Sequence, residues 1–336
     1  MLRLPVFLTL LFLFMAAGAQ AQQQPCGNLD VPVTVIRANG EPVQGLTAAD
    51  FTGLLKKQPL SIQSLTNDAG PRRILIVIDT VRLLSAQARK AQVEFASAVV
   101  HAAQPEDTFA LLTARGGSQQ VKFGADRSAL KNALRILDEH AGETSGDAKQ
   151  PGVMDAVAEG ITWFGEPRLG DSIVLLAADL EGNHKANHKS VAKMLEEHRI
   201  RLFGVAFGHL QLANSTAAAT GMGREGFGYQ QPGIPMYTNA TGEANFLPLS
   251  VNSGGYIVPE DALLRKKEFQ LTDLKRKQLQ KTGALMSELI DKFYRLRIQL
   301  PALSHPESLT VTLKQSQPGT HVLYPHELSC RSPAGD

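Results

Sequence analysis

The most restrictive feature of this 336-residue sequence is an unbroken run of branched apolar residues that ends on a carboxylate. Residues 74–78 are Ile-Leu-Ile-Val-Ile, and Asp79 follows them directly. A strand that is apolar on both faces must be covered on both faces, which is typical of a central strand in a parallel sheet. Ligands of open α/β sheets bind beyond the carboxyl ends of the strands, so Asp79, Thr80 and Arg82 are the first candidate binding residues.

A second run of the same kind, residues 172–178, ends at Asp179. Around these two runs, segments of helical periodicity alternate with further apolar segments. The pattern predicts helices at about 85–103, 126–137, 152–164 and 189–198, and strands at 108–113, 201–207 and 253–258. Strands that alternate with helices predict an α/β fold with a doubly wound, mostly parallel sheet.

The two ends of the chain follow a different pattern, in which apolar and polar residues alternate. Short strands are predicted within residues 31–66, and again at 294–300, 309–313 and 321–324. Neither set is large enough to form a core alone, so we expect the two sets to pair as a small β-sandwich-like domain that contains the α/β domain as an insertion. The expected segments are 22–70 (N-terminal β segment), 71–259 (α/β domain), 260–292 (helical segment) and 293–336 (C-terminal β segment).

The first 21 residues have the pattern of a cleaved signal peptide. One Arg precedes an apolar run at 4–15, and small residues at 17–21 offer a cleavage site after Ala21. The run is too short to span a bilayer comfortably, and no other segment is long and apolar enough. We therefore expect a secreted or periplasmic protein without a membrane span. The formal net charge of +2 gives no indication of nucleic-acid or membrane-surface binding.

The two cysteines, Cys26 and Cys330, lie near opposite ends of the exported chain. In an oxidising compartment an even pair can form a disulfide, and this one would bring the two chain ends together. The alternative is a pair of free thiols. We expect the disulfide, since it agrees with a β domain built from both ends of the chain.

These features together resemble the von Willebrand factor A domain across residues 72–259. The resemblance rests on the strand ends at Asp79 and Asp179, the helix that contains Asp155, and the late sequence Ser253-Gly254-Gly255-Tyr256. The flanks are similar to those of related secreted bacterial proteins that are abundant in acidobacteria, through residues 33–51 at the start and residues 289–296 at the end. The resemblance covers nearly the whole chain after the signal.

The resemblance implies a metal-ion-dependent adhesion site, built from an Asp-x-Ser-x-Ser loop, a Thr from a second loop and an Asp from a third. Asp79 and Asp179 match the first and last positions, whereas Val81 and Leu83 replace the two serines and the Thr would fall near Pro151. A hard cation requires oxygen ligands, which Val and Leu lack. We therefore interpret the site as degenerate and expect no cofactor. A divalent cation such as Mg²⁺, held by a rebuilt site, is the alternative.

Arg82 lies in the same loop and suggests what replaces the cation. A guanidinium beside Asp79 would form a charge-assisted hydrogen bond and keep the loop folded without metal. The predicted binding residues are therefore Asp79, Thr80, Arg82 and Asp179, and no catalytic residue is predicted. Residues 209–247 form a Gly- and Pro-rich segment with Tyr and Phe, which suits either a surface loop or contact with a partner.

The function that the resemblance implies is an exported, non-enzymatic module for protein interaction or adhesion, with an unknown protein partner. Two alternatives stay open: metal-dependent adhesion through a rebuilt site, and a hydrolase that uses Asp79 and Asp179. The second alternative is weakened by the sequence Asp79-Thr80-Val81, because phosphatases with an aspartyl nucleophile need a second Asp where Val81 stands.

Overall fold

The structure is a computed structural model that describes residues 26–80, 85–114, 119–141, 152–177, 186–206, 211–212, 237–238, 247–259, 270–316 and 318–330. The predicted signal peptide and most of residues 209–247 lie outside these ranges. The strands, in chain order, are β1 (Gly27–Ile36), β2 (Phe51–Leu55), β3 (Gln58–Leu60), β4 (Ile62–Asp68), β5 (Arg73–Asp79), β6 (Thr108–Ala114), β7 (Gln120–Val121), β8 (Ser172–Ala177), β9 (Arg201–Ala206), β10 (Gln211–Leu212), β11 (Tyr237–Thr238), β12 (Ile257–Pro259), β13 (Phe293–Leu300), β14 (Glu307–Leu313), β15 (His321–Leu323) and β16 (Glu327–Leu328). The α-helices are α1 (Ala86–Ala102), α2 (Arg127–Glu139), α3 (Val153–Thr162), α4 (His188–Glu197), α5 (Leu247–Asn252) and α6 (Asp273–Asp291).

The largest sheet has six strands in the spatial order β12-β9-β8-β5-β6-β7. All neighbouring pairs are parallel except β6 and β7, which are antiparallel. When its strands are renumbered in chain order, the sheet has the arrangement 3-2-1-4-5-6 of doubly wound α/β folds. The predicted fold class is confirmed by this strand order.

Strand β5 lies at the centre of the sheet, and its side chains alternate between two cores. Ile74, Ile76 and Ile78 pack with residues of α1, α2 and α6 on one face. Leu75 and Val77 pack with residues of α3 and α4 on the other face. An apolar run without interruption is therefore what this position requires, because helices cover both of its faces.

Local polar residues fix where the helices begin. Ser85 precedes α1, and its hydroxyl accepts a hydrogen bond from the Ala88 amide at 3.1 Å. Asn187 caps α4 in the same way, through the Ser190 amide at 2.8 Å. Both bonds satisfy amides that have no partner within the helix. Asp126 also stands directly before its helix, α2, but its side chain makes no capping hydrogen bond.

The last strand of the parallel sheet is shorter than the predicted strand at 253–258, because it begins only at Ile257. Gly254 has a φ of +78°, which strands do not adopt. At Gly255, a Cβ atom would lie 2.0 Å from the Leu202 carbonyl oxygen. The two glycines therefore form a tight turn against β9, and the strand starts after it.

The two chain ends form two four-stranded sheets with a common core. One sheet has the order β15-β1-β13-β4 and the other β16-β14-β2-β3. Their shared core includes Val31, Val33, Leu296 and Val311. Strand β1 pairs antiparallel with β13 from Gly27 to Val33, which is the association of N- and C-terminal segments expected from the sequence. The segment boundaries themselves stay a prediction.

Cys26 and Cys330 form the predicted disulfide, across a sequence separation of 304 residues. Their Cα atoms are 5.4 Å apart, inside the usual range for disulfides. The bond therefore closes the small β domain around its inserted α/β domain.

Helix α6 belongs to the core of the α/β domain, although it follows the last strand of the parallel sheet. Its Leu279 and Met286 are buried in the same cluster as α1. Gly283 allows the close approach of the two helices, because a Cβ atom there would lie 2.8 Å from the Ala98 Cβ and 2.9 Å from the Phe95 carbonyl oxygen. In the part of the chain that the structure describes, neither this helix nor any other combines the length and hydropathy required to cross a membrane.

Candidate binding site at the carboxyl edge of the parallel sheet

The candidate site lies where the strand order of the sheet reverses. Counted in chain order within this sheet, β5 is the first strand and its neighbour β8 is the fourth. The chain therefore leaves β5 towards β6 and leaves β8 towards β9, on opposite sides of the pair. Crevices of this kind are the usual ligand sites of open α/β sheets. Asp79 and Thr80 are at this edge, as predicted. Arg82 and Asp179 lie outside the described residues, so their role and the ion pair between Arg82 and Asp79 stay predictions.

The two described candidate residues are both turned into the protein. Asp79 has no exposed surface, and Thr80 is 7% exposed. The Thr80 hydroxyl donates a hydrogen bond to the Ala114 carbonyl oxygen at 2.5 Å, and the Thr80 amide donates to the same oxygen at 3.2 Å. Thr80 therefore fixes the end of β5 to the end of β6.

Gln92 performs a similar task between β5 and β8. It lies on α1 with no exposed surface, and its side-chain amide donates to the carbonyl oxygens of Asp79 at 3.1 Å and Leu176 at 2.9 Å. Asp79 is the last residue of β5, and Leu176 is the last but one of β8. Sequence reasoning missed Gln92, although a polar residue within the apolar stripe of α1 was a usable signal, because a buried amide group requires hydrogen-bond partners.

Sequence reasoning also missed Arg89, another polar residue within the apolar stripe of α1. It lies three residues before Gln92, hence on the same face of α1 and one turn closer to the carboxyl edge. It is 9% exposed, and burial lowers the pKa of its guanidinium. Arg89 therefore brings a positively charged side chain close to this edge of the sheet.

Asp155 joins the next two connections at the same edge. Its carboxylate accepts from the Gly152 amide at 3.1 Å, at the start of α3, and from the Ala186 amide at 2.6 Å, just before α4. A carboxylate near the first turn of a helix is also favoured by the helix dipole. This Asp, which the family resemblance includes, therefore connects two loops of the site.

The described residues do not fit a divalent metal site. Among them there is no group of three or more His, Cys, Asp or Glu side chains placed to hold a metal ion. Hard cations require about six or more oxygen ligands. Of the positions that the resemblance assigns to metal ligands, Val81 and Leu83 supply no oxygen.

The opposite, amino edge of the sheet contains buried ion pairs. Arg72 is 2% exposed, and it donates to the Asp68 carboxylate at 2.5 Å and to the carbonyl oxygens of Asp68 and Asp291 at 2.8 and 2.9 Å. Asp68 also accepts from Arg295. Burial by itself would raise the pKa of Asp68, but the hydrogen bonds from the two arginines lower it below its usual value. This carboxylate therefore connects the edge of the parallel sheet to β13.

Arg201 extends this cluster. It donates to the Ile290 carbonyl oxygen at 2.8 Å, and burial, followed by the nearby Arg72, lowers its pKa to about 9. The ring of Phe293 lies between the two arginines, with guanidinium carbons 4.3 Å (Arg72) and 4.4 Å (Arg201) from its centroid. Burial, followed by the charge of Asp107, raises the pKa of Asp291 to about 6.

The comparisons with known proteins find similarity in structure only. No family model matches the sequence, and no curated protein matches it. Several solved structures are similar to this chain. One is the conserved hypothetical protein BatB from Bacteroides thetaiotaomicron, with 16% identity, a TM-score of 0.39, and coverage of 66% of this chain and 98% of that one.

A second is the von Willebrand factor type A protein from Catenulispora acidiphila, with 9% identity, a TM-score of 0.42, and coverage of 92% of this chain and 74% of the other. A third is proximal thread matrix protein 1 from the mussel byssus, whose metal-ion-dependent adhesion site holds zinc. It is 13% identical, with a TM-score of 0.31, and the match covers 43% of this chain and 40% of that protein. The fold assignment of this chain rests on its own strand order.

Proposed function

We propose that this protein is an exported, non-enzymatic interaction module that presents the carboxyl edge of its parallel sheet to a partner protein without a bound metal. One observation carries the proposal: the protein's own polar groups hold this edge together. Thr80 bonds to the end of β6, and Gln92 bonds to the ends of β5 and β8. Such an edge is a fixed surface, as a recognition site requires, and the strands need no cation to hold their ends.

The burial of Asp79 supports a non-enzymatic role. A nucleophilic carboxylate must reach the reacting atom of its substrate, and Asp79 has no exposed surface. The alternative of a hydrolase based on Asp79 and Asp179 is therefore disfavoured.

The proposed export rests on the disulfide and on the predicted signal at residues 1–21. Disulfides persist in oxidising compartments such as the periplasm or the exterior of the cell, whereas cytosolic reductants oppose them. The bond between Cys26 and Cys330 thus suits a secreted or periplasmic protein.

The proposal is tested by photo-crosslinking in cells that export the protein. A photoreactive residue in place of the half-buried Ala86, at the start of α1, reports on the carboxyl edge. The matched control replaces Glu106, an exposed residue just before β6 at the amino edge. We expect a discrete protein adduct from position 86 that survives chelator and is absent at position 106. An adduct that disappears with chelator would indicate metal-dependent adhesion, and equal labelling at both positions would contradict the proposed surface.

A further inference from the structure

One edge of β1 is only partly occupied. Strand β13 pairs along one edge of β1 from Gly27 to Val33, and β15 pairs along the other edge at Thr34, Val35 and Ile36 only. Among the described residues, no strand continues the line of β15 beside the first half of β1. An unpaired strand edge presents backbone N–H and C=O groups that can template another strand.

The direction of these backbone groups follows from two contacts. The Val35 carbonyl accepts from the Val43 amide at 2.7 Å, and Val43 lies on the β13 side, where its own carbonyl accepts from the Tyr294 hydroxyl at 3.0 Å. Because the backbone N–H and C=O groups alternate in direction along a strand, those of Leu29 and Val31 also point towards β13. The open edge is then faced by the backbone groups of the residues between them, Asn28, Asp30 and Pro32.

The position of Pro32 agrees with this assignment. Proline lacks an amide proton, and inside a sheet it is tolerated where its nitrogen faces an unpaired edge. The open edge therefore offers the amides of Asn28 and Asp30 as donors, and the carbonyls of Asn28, Asp30 and Pro32 as acceptors.

A groove runs along this edge. Its larger part has a volume of about 740 Å³, and its floor includes residues 29–32. Side chains of α4 and α5 form one wall, among them Ala192, Glu196 and Leu249. The C-terminal segment after β15 forms the other wall, with Leu328 and Ser329. A smaller cavity of about 340 Å³ continues the groove past Asn28 to the disulfide.

We propose that this groove binds an extended segment of a partner protein, which adds to β1 as a strand in line with β15. Strand addition at a sheet edge derives affinity from main-chain hydrogen bonds and specificity from pockets for alternate side chains. The inference is independent of the proposed interaction at the carboxyl edge of the parallel sheet.

The groove walls define the chemistry of the segment. Ala192 and Leu249 on the helical side, and Leu328 on the other side, favour apolar side chains on both faces of the added strand. Glu196 has one carboxylate oxygen, Oε1, that is buried and has no hydrogen-bond partner in the described part of the chain. Burial, with a smaller contribution from the charge of Glu327, raises the pKa of this carboxyl group, although a hydrogen bond with Ser329 of the opposite wall partly opposes the shift. A donor on the ligand, such as a hydroxyl or ammonium group, would satisfy this oxygen.

The shape of the groove distinguishes a peptide from a second copy of the chain. Helix α4 on one side and residues 325–329 on the other stand beside the open edge. A single extended chain, paired at about 4.8 Å from β1, would run along the groove floor between these walls. In a dimer that pairs the two open β1 edges, the groove walls of each copy would collide with those of the other copy.

The test begins with linear peptides selected from a display library on the oxidised mature protein. Selected peptides are measured against the wild type, against Ala192→Trp, which narrows the groove, and against Glu197→Trp, an exposed position of α4 outside the groove lining. We expect binding to weaken at least about tenfold in Ala192→Trp and to stay unchanged in Glu197→Trp. Thermal melts of both variants show that they remain folded.

Hydrogen exchange identifies the bound edge. With the peptide present, the amides of Asn28 and Asp30 are expected to gain protection, whereas those of Leu29 and Val31, already paired with β13, stay unchanged. Alternate amides of the peptide face β1, so N-methylation of that set is expected to abolish binding, whereas N-methylation of the other set is expected to preserve it. The proposal is overturned if no peptide is selected, if bound peptides leave Asn28 and Asp30 unprotected, or if Ala192→Trp binds as well as the wild type.

Discussion

The two edges of the parallel sheet are held by different chemistry. At the carboxyl edge, neutral groups such as the Thr80 hydroxyl and the Gln92 amide bond to the ends of neighbouring strands. At the amino edge, Arg72 and Arg201 are buried among the carboxylates of Asp68 and Asp291. The amino edge joins the sheet to the small β domain, whereas the carboxyl edge is the candidate binding surface.

This difference has an energetic meaning. Buried charges are costly to desolvate, and they are tolerated where partners are fixed in place. The amino edge meets that condition, because β4 and β13 position Asp68 and Arg295 beside the sheet. Hydrogen bonds between neutral groups, such as those of Thr80 and Gln92 at the carboxyl edge, are individually weaker than those between charged groups. The predictions below test this division, beginning with the largest effect.

Asp68→Ala is expected to have the largest effect, because it leaves Arg72 buried beside an empty position. Removing one partner of a buried ion pair typically costs about 3–5 kcal/mol. Urea denaturation measures this loss in the free energy of unfolding. The control is Asp30→Ala, whose pair with Arg297 is partly exposed and is expected to contribute at most about 1 kcal/mol. Equal losses in the two variants would contradict a special role for the amino edge.

Asp291 is expected to make stability pH-dependent. Its pKa is raised to about 6 in the folded protein, whereas an unfolded chain releases this proton near 3.8. The folded state therefore binds more protons between these values, so the contribution of Asp291 to stability falls as pH rises from about 4 to 6, by about 3 kcal/mol. Above about pH 7, where the carboxyl group is ionised in both states, the contribution is constant.

The measurement is the difference in unfolding free energy between the wild type and Asp291→Asn at several pH values. Distant titrating groups affect both proteins alike, so the difference curve reports Asp291 together with the neighbouring Asp107, to which it is coupled. A difference that is flat from pH 4 to 6 would refute the raised pKa.

Gln92→Leu tests the carboxyl edge. The substitution keeps a side chain of similar size but removes the donor to the Asp79 and Leu176 carbonyls. Leaving buried acceptors unpaired is expected to cost about 2 kcal/mol of unfolding free energy. His101→Leu, an exposed position on the same helix, is expected to change stability by less than about 0.5 kcal/mol. If Gln92→Leu is equally mild, the carboxyl edge is not held by this amide.

Thr80→Val is expected to have the smallest effect on stability. It removes one hydroxyl while it keeps the β-branched shape, so the hydrogen bond to the Ala114 carbonyl oxygen is lost. A loss of about 1 kcal/mol is expected in thermal or urea unfolding. A loss as large as that of Asp68→Ala would erase the proposed contrast between the two edges.

The fold was largely predictable because its signals are local. The run at residues 74–78 determines a central strand, and alternating patterns at both chain ends have no other partners to pair with. Short elements were harder to predict: α5 begins at the last residue of the segment 209–247 and was not predicted, because six residues carry too little periodicity. The glycine turn before β12 likewise depends on close contact with Leu202, which no local pattern reveals.

The site was less predictable for a physical reason. Its described contacts connect residues that are distant in sequence, as from Gln92 to Leu176. The ion pairs of the amino edge have the same property, as from Asp68 to Arg295. A sequence identifies Asp79 as the end of a strand, but the groups that surround it are determined by how the helices pack.

The most direct test of the account is a thermal melt of the oxidised mature protein with Mg²⁺, Mn²⁺ or Ca²⁺, compared with chelator. A ligand that binds only the folded state must raise the melting temperature as its concentration increases. We expect no shift with any of the three cations, in agreement with an edge held by Thr80 and Gln92. A saturable rise that is lost in Asp79→Ala would contradict this expectation and show that the edge binds a cation.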